Sequence, residues 1–311
     1  MTTAKSLTVV LWCWHAPYAA LLARALPEVA FRTLPTPYCP DGWNARQRPL
    51  PENVLPAPEL IATDPDVVLL QTGFDIDAML RAEWPGAAVY LSHNRAELEG
   101  QGVAEWLNDT GIPVISISPM KAQSWLDAGY RPFKGGIPVI LPYVDPADYP
   151  VWTGEGGYVL TVANNLRRPL FDAEAWIEAT KGLPVKLVGE GNEGIPGAVG
   201  PATDWDELKR LYREAAVYLN PTVAPWEDAH NLAMLEAAAT GTPIVSLHED
   251  SAGLAFHWKT TRTDVEVVLR TAGAPVMREA VSPATRRNTA ARFPKDRFAA
   301  QWRAVLEEVT K

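Results

Sequence analysis

Short apolar runs alternate with segments of helical spacing along nearly the whole chain. The runs Leu7–Trp12, Val67–Gln71, Ala87–Ser92, Val114–Ser118, Val139–Pro142, Tyr158–Ala163, Val185–Val188, Ala216–Asn220 and Ile244–Leu247 are each of strand length and almost continuously apolar. A strand buried on one face alternates apolar and polar positions. A strand buried on both faces does not, so these runs read as parallel strands inside a sheet. Between them, Ala16–Leu26, Met120–Ala128, Phe171–Thr180, Trp205–Ala215 and Leu232–Thr240 carry apolar residues at helical spacing. Lys295–Val309 predicts a last helix with Phe298, Trp302, Val305 and Leu306 on one face. Strand and helix in alternation make βαβ units, which predicts an α/β chain with parallel sheets.

The strands fall into two sets, the first ending near Pro142 and the second beginning near Tyr158. The Pro- and Gly-rich stretch 145–157 between them has the composition of an interdomain linker. At 311 residues the chain suits two α/β domains. The boundaries are read as 1–148 for the first and 149–294 for the second. Residues 35–58 hold seven prolines and read as a long loop within the first domain.

Charge narrows the functional classes. The formal net charge is −9, with 10 basic against 15 acidic residues in 1–145 and 18 against 22 in 146–311. Neither half has the excess of cations that broad non-specific nucleic-acid binding needs. One segment departs from this: 286–311 carries Arg286, Arg287, Arg292, Lys295, Arg297, Arg303 and Lys311 against Asp296, Glu307 and Glu308. The two cysteines, Cys13 and Cys39, form no CxxC or Cys/His ligand spacing, so neither a disulfide framework nor a structural zinc site is expected. No apolar run approaches the ~20 residues of a membrane span. The N-terminus reads as a strand rather than a signal peptide. The expected location is cytoplasmic.

The segment Asn220–Ser246 concentrates the chemistry. A strand ends at Asn220-Pro221, a polar loop follows, a helix starts near Asn231, and Gly241-Thr242-Pro243 stops it before the next strand. Asp228 lies in the loop, and Glu236 lies on the helix eight residues later. The first amides of a helix have no intrahelical partner and attract anions, so the backbone around His230, Asn231 and Leu232 suits a diphosphate. A carboxylate on the helix can accept two ribose hydroxyls. The alternative reading is an ordinary αβ unit in which Asp228 only caps the helix.

This segment resembles the signature of the retaining GT-B glycosyltransferases, a large family with many bacterial hexosyl- and mannosyltransferases. In that family an acidic residue is followed by seven residues, Glu, and a Gly-Thr-Pro turn. Here Asp228 stands where the family usually has Glu, and Ala229-His230-Asn231 replaces its Gly-Phe-Gly. The resemblance runs in register over most of the chain. Pro142-Tyr-Val-Asp145 resembles the family's Pro-Asn-Gly-Val-Asp. Val188-Gly189-Glu190-Gly191 resembles its strand end near the nucleotide base. Asn164 falls where the family has the Arg of Val-Gly-Arg, and Leu170 falls near its phosphate-binding Lys. Arg167 and Arg168 are the nearest cations for that phosphate role, since guanidinium groups bind phosphate bidentately. His93, after the strand 87–92, matches a family His that faces the donor sugar.

The resemblance implies a GT-B fold: two Rossmann-like domains with parallel sheets facing an interdomain cleft, and a last helix, 295–309, packing back on the first. It implies transfer of a sugar from a nucleotide-sugar donor, bound mainly by the second domain, to an acceptor hydroxyl, with retention. His93, Asp228, Arg167 and Arg168 are then the catalytic candidates. Glu236, Asn164, Gly189, Glu190, His230, Asn231 and Leu232 are the donor-binding candidates. The loop after the first strand has Trp12-Cys13-Trp14-His15 where the family is Gly-rich, so His15 and Trp14 are assigned to the acceptor. Trp12, Trp14 and Trp226 offer aromatic faces for stacking a base or a sugar. No cofactor is expected beyond the nucleotide-sugar substrate. No metal is expected either: Asp75-Ile76-Asp77 matches a short metal pattern of another architecture, but reads as a solvated helix start. The acceptor is expected to be a glycan or small molecule. Modified DNA, as with phage enzymes that glycosylate hydroxymethylated bases, is one alternative. A non-catalytic GT-B protein that binds a nucleotide-sugar is another.

Overall fold

In the computed structural model the described residues are 7–100, 102–132, 135–223, 231–248, 254–255, 259–272 and 274–311. The strands are β1 (Thr8–Trp12), β2 (Ala30–Leu34), β3 (Val54–Pro56), β4 (Val67–Leu70), β5 (Ala87–Ser92), β6 (Val114–Ser116), β7 (Val159–Val162), β8 (Val185–Val188), β9 (Ala198–Gly200), β10 (Val217–Asn220) and β11 (Ile244–Ser246). The helices are α1 (Ala16–Ala25), α2 (Gly73–Arg81), α3 (Val103–Thr110), α4 (Pro119–Asp127), α5 (Ala173–Thr180), α6 (Trp205–Glu214), α7 (Leu232–Thr240), α8 (Arg262–Thr271), α9 (Ser282–Arg292) and α10 (Lys295–Val309). The chain divides into two compact units, Met1–Tyr143 with Lys295–Lys311, and Val144–Pro294.

The first unit is built on a six-stranded sheet of order β3-β2-β1-β4-β5-β6, parallel throughout. Its strands are apolar on both faces because helices cover both. Val10, Val68, Tyr90 and Trp125 belong to one buried cluster. Tyr18, Phe298 and Trp302 are buried where α10 packs on α1. Arg303 closes that helix pair by donating to Glu28 at 2.7 Å. Cys13 and Cys39 form no disulfide, and both are buried in a small cluster with Ala16.

The second unit carries a five-stranded parallel sheet of order β11-β10-β7-β8-β9. Trp176, Leu187, Val217 and Leu219 fill one side, and Leu160, Tyr212, Tyr218 and Met234 the other. α7 ends at Gly241, whose φ of 86° is the left-handed geometry that lets its N–H reach back to Ala237 O.

The parallel α/β class read from the pattern is the class observed, and three strands go beyond it. β2 carries Arg32 among its apolar residues and is short. β3 lies inside the Pro-rich stretch 35–58, which is therefore not all loop. It pairs with β2 through Val54, Leu55 and Pro56 at the sheet edge, where a missing N–H costs no ladder bond. β9 is a three-residue edge strand ending at Gly200. Conversely, Val139–Pro142 makes only an isolated parallel bridge, Ser116↔Val139. Pro138 and Pro142 flank it and cannot donate to a ladder.

Candidate functional site

In each sheet the chain leaves a central strand, builds outward on one side, and returns to build on the other. The loops after the two strands at that reversal diverge and leave a crevice at their carboxyl ends, the usual ligand position in open α/β sheets. In the second unit the reversal lies between β7 and β10, and in the first between β1 and β4.

The loop after β7 holds Asn164, Arg167 and Arg168. It is stitched to the loop after β8 by a set of hydrogen bonds made by backbone and side-chain amides. Asn164 Oδ1 accepts from Glu190 N at 3.0 Å, and Asn165 N donates to Glu190 O at 2.7 Å. Asn192, buried, donates from Nδ2 to Ala163 O at 2.7 Å and accepts from Leu166 N at 2.8 Å. Gly189 is forced by this closeness. A Cβ there would lie 2.2 Å from Ala163 O, and its φ is 142°. Arg167 reaches Glu193 O at 3.3 Å. The Arg168 side chain is exposed and makes no hydrogen bond or ion pair among the described residues.

The same loop is tied to the segment after β10 by the Phe171↔Thr222 bridge and by Asp172 N donating to Pro221 O at 3.0 Å. α7 then starts at Leu232, with Asn231 Oδ1 capping Ala233 N at 2.8 Å. Glu236 stands on this helix about 6 Å along its axis from Leu232, and only 4% of it is exposed. Asp228 and His230, with Trp226, lie outside the described residues. The structure thus brings Asn164, Gly189, Glu190, Arg167 and Arg168 to adjoining strand ends, and places Asn231, Leu232 and Glu236 on the helix beyond the neighbouring strand.

At the first unit's reversal, Trp14 and His15 follow β1, and His93 follows β5. The His15 and His93 rings are 4.6 Å apart between centroids, and Tyr18 meets His93 edge-on at 4.7 Å. Burial, with smaller contributions from His15 and Lys121, holds the His93 pKa well below the usual histidine range. It is neutral at pH 7, and its buried Nε2 has no hydrogen-bond partner among the described residues. Trp12, expected on a loop, is the last residue of β1 and nearly buried.

Asp75 corrects an expectation. It opens α2 in a capping box with Thr72, as a helix-start residue should, but it is wholly buried rather than solvated. Its carboxylate accepts from Trp14 Nε1 at 2.7 Å, Gln71 N at 2.7 Å and Thr72 N at 3.2 Å. Burial pushes its pKa up to about 7 against the pull of those donors. Asp77 is exposed, about 200° further round the helix. Among the described residues no cluster of His, Cys, Asp and Glu is arranged to hold a metal.

The basic segment 286–311 also looks different in three dimensions. Arg286 is not a free cation. Its guanidinium donates to the carbonyls of Pro146 at 2.7 Å, Pro150 at 3.0 Å, Thr240 at 3.1 Å, Tyr149 at 3.4 Å and Ala239. It binds the end of α7 to the stretch after Val144, and burial holds its pKa below the usual guanidinium value.

No protein-family profile and no curated protein matches the chain by sequence. Solved structures do match. HepE from Anabaena, determined with UDP-glucose, superposes with a TM-score of 0.68 at 12% identity, covering 97% of this chain and 99% of its own. A glycosyltransferase from Rickettsia africae gives 0.66 at 12%, covering 99% and 100%. AviGT4, a glycosyltransferase of avilamycin A biosynthesis, gives 0.61 at 17%, covering 98% of each chain. The fold is GT-B. Within this GT-B chain, several groups that join the strand-end loops went unread in the sequence. Asn192 and the Asp172–His248 pair, 3.1 Å apart, are examples. Each joins loops that the fold alone makes neighbours, and only the polar character of strand-end loops marked them. Tyr18 reads as helix core, and its contact with His93 has no sequence signal. Among the described residues, no helix of the GT-B chain is long and apolar enough to cross a membrane.

Proposed function

We propose that this chain transfers a sugar from a nucleotide-sugar donor to an acceptor hydroxyl, with retention of configuration. The observation that carries the reading is the set of groups at the second sheet's reversal: two arginines, a glycine-pinched strand end, and a helix that starts there and carries the buried Glu236. A carboxylate on this helix, one turn in from the first amides, has two oxygens that accept hydrogen bonds. A ribose diol supplies two hydroxyls to such a group.

In this reading the diphosphate lies on the amides that open α7 and on Arg168, with Arg167 beside it. Their positive charge stabilises the departing phosphate, the charge that grows as the anomeric C–O bond breaks. The acceptor oxygen bonds to the anomeric carbon on the face the diphosphate leaves, and the acceptor proton passes to the leaving phosphate oxygen. The retaining outcome rests on the resemblance of the Asp228–Glu236 segment to the signature of the retaining GT-B glycosyltransferases. These cations and amides meet the leaving-group charge without a metal. His93, neutral and with Nε2 unpaired, is suited to a hydroxyl of the sugar being transferred. The first unit supplies the acceptor side, with His15 and Trp14.

Calorimetric titration with UDP-, GDP-, ADP- and dTDP-sugars tests this. HepE was solved with UDP-glucose, which makes UDP-sugars the first to try. Saturable binding to one base, weakened at least about 100-fold in both Glu236→Ala and Glu236→Gln, is the expected result. Absence of binding to the whole panel overturns the reading and leaves the fold standing.

A further inference from the structure

The first unit holds a cavity of about 570 Å³ at the carboxyl ends of β4 and β5, between α2 and α3. That is the size of a site for a small organic molecule. Phe74, Leu80 and Leu98 line it while remaining 74%, 51% and 54% exposed, and Trp14 and Trp106 form further apolar wall. Isolated exposed apolar side chains are ordinary, but several gathered round one concavity are a binding surface.

One wall of the cavity is built in place. Trp14 is fixed by the 2.7 Å bond from its indole to Asp75, a carboxylate with no exposure of its own, and its ring lies 6.0 Å from Phe74 at a tilt of 33°. The same buried carboxylate that caps α2 holds this indole in one orientation, and ordering the ring before binding lowers the cost of binding. The charge of the lining is one-sided. Asp77 and Glu99 face the cavity, and among the described residues no lysine or arginine lines it. Phosphate-bearing ligands are therefore disfavoured. Trp14 and Asn94, both in the lining, adjoin His15 and His93 in the chain.

We propose that this cavity is the acceptor site, and that it takes a small hydroxylated molecule with an apolar ring body and no negative charge. Exposed leucines beside two indoles and a phenyl ring suit a hydrocarbon ring system better than a sugar, which needs a denser set of polar partners. The proposal rests on the glycosyl-transfer reading above for the word acceptor, and on the cavity alone for the class of ligand.

The test is titration of the full chain with 2-naphthol at pH 7, beside 2-naphthyl phosphate and UDP-glucose. Saturable binding of 2-naphthol is expected, weakened at least tenfold by Phe74→Ala and by Leu98→Asp. Both side chains are solvent-exposed, so the fold should survive, and unchanged circular dichroism and Tm of the two variants check that it does. 2-Naphthyl phosphate is expected to bind at least tenfold more weakly and to recover part of that in Asp77→Asn. No saturable 2-naphthol binding, equal binding in both variants, or equal binding of the phosphate overturns the proposal. Donor binding without 2-naphthol binding sinks the acceptor proposal alone. Binding of 2-naphthol through Phe74 with no nucleotide-sugar bound sinks the transfer reading and leaves the ligand class in place.

Discussion

The two units share a parallel-sheet plan and differ in what they put at its reversal. In the second, the loop after the first strand is Asn164-Asn165-Leu166-Arg167-Arg168, packed through backbone amides against a glycine, with a helix N-terminus across from it. In the first, the loop after β1 is Cys13-Trp14-His15, and its neighbours are a buried carboxylate, an imidazole pair and a cluster of exposed apolar side chains. One crevice offers N–H groups and positive charge, the other rings and carboxylates. The sheet decides where a ligand sits, and the residues of two or three loops decide its chemistry. The polar crevice depends on close backbone approach, whereas the aromatic one depends on a few anchored side chains, so the two should fail differently.

Gly189→Ala strikes the close approach. The new Cβ meets backbone atoms, Ala163 O at 2.2 Å and Ala163 C at 2.7 Å, at a φ of 142°. Neither atom moves cheaply, so the expected cost is about 5 kcal/mol, at the upper end for a single substitution. Hydrogen exchange should show lost protection on β7 and β8 and none on β1 and β4. Equal loss in both sheets would break the contrast.

Asp75→Asn strikes the anchored side chain. The folded-state pKa of about 7 lies above the ordinary 3.8, so the folded form holds its proton more tightly than the unfolded chain does. Such a group favours folding most below pH 4, and that contribution is lost as pH rises to 7. Relative to Asp75→Asn, the parent protein should therefore lose on the order of 4 kcal/mol between pH 4 and pH 8. Tm measured against pH for both proteins checks this. Parallel curves would show that the Trp14 bond and the backbone donors keep the carboxylate charged throughout.

These two residues also show what the sequence made legible. The helix Leu232–Thr240 could be read to the residue, because Asn231 caps it, Gly241 ends it and Pro243 prevents its return. Strand ends bearing Asn164, Gly189 and His93 could be read because continuous apolar runs stop there. What could not be read depends on partners distant in sequence. Thr72 and Asp75 announce a helix start, but the burial of Asp75 follows from an indole 61 residues away. Arg286 reads as one of a basic run, and its carbonyl partners lie as far as 140 residues back. β3 and β9 escaped notice because edge strands can be short and rich in Pro or Gly, the residues that signal loops.

Arg286→Ala removes the donor shared by five carbonyls at the end of α7 and after Val144. The partly buried acceptors lose their partner, which sets the expected cost at about 3 kcal/mol. Arg286→Lys should recover less than half, because one ammonium cannot span the set. Denaturant unfolding of the three proteins measures it. Since α7 starts at the crevice proposed for the donor, donor affinity should fall with stability, while 2-naphthol binding to the first unit should not.

The smallest change expected is also the one that separates charge from scaffold. The Arg168 side chain is exposed and makes no hydrogen bond or ion pair among the described residues, so Arg168→Ala should alter stability by less than about 0.5 kcal/mol. If its guanidinium meets the donor diphosphate, nucleotide-sugar affinity should nonetheless fall about tenfold, and the salt dependence of that affinity should flatten. Arg167 already donates to Glu193 O at 3.3 Å, so Arg167→Ala should cost less affinity. Titrations at low and high salt decide it. An unchanged affinity in Arg168→Ala would move the phosphate to the α7 amides alone and make the second crevice a site of backbone recognition. A tenfold loss with 2-naphthol binding untouched would show that the two crevices answer to different chemistry, positive charge in one and apolar surface in the other.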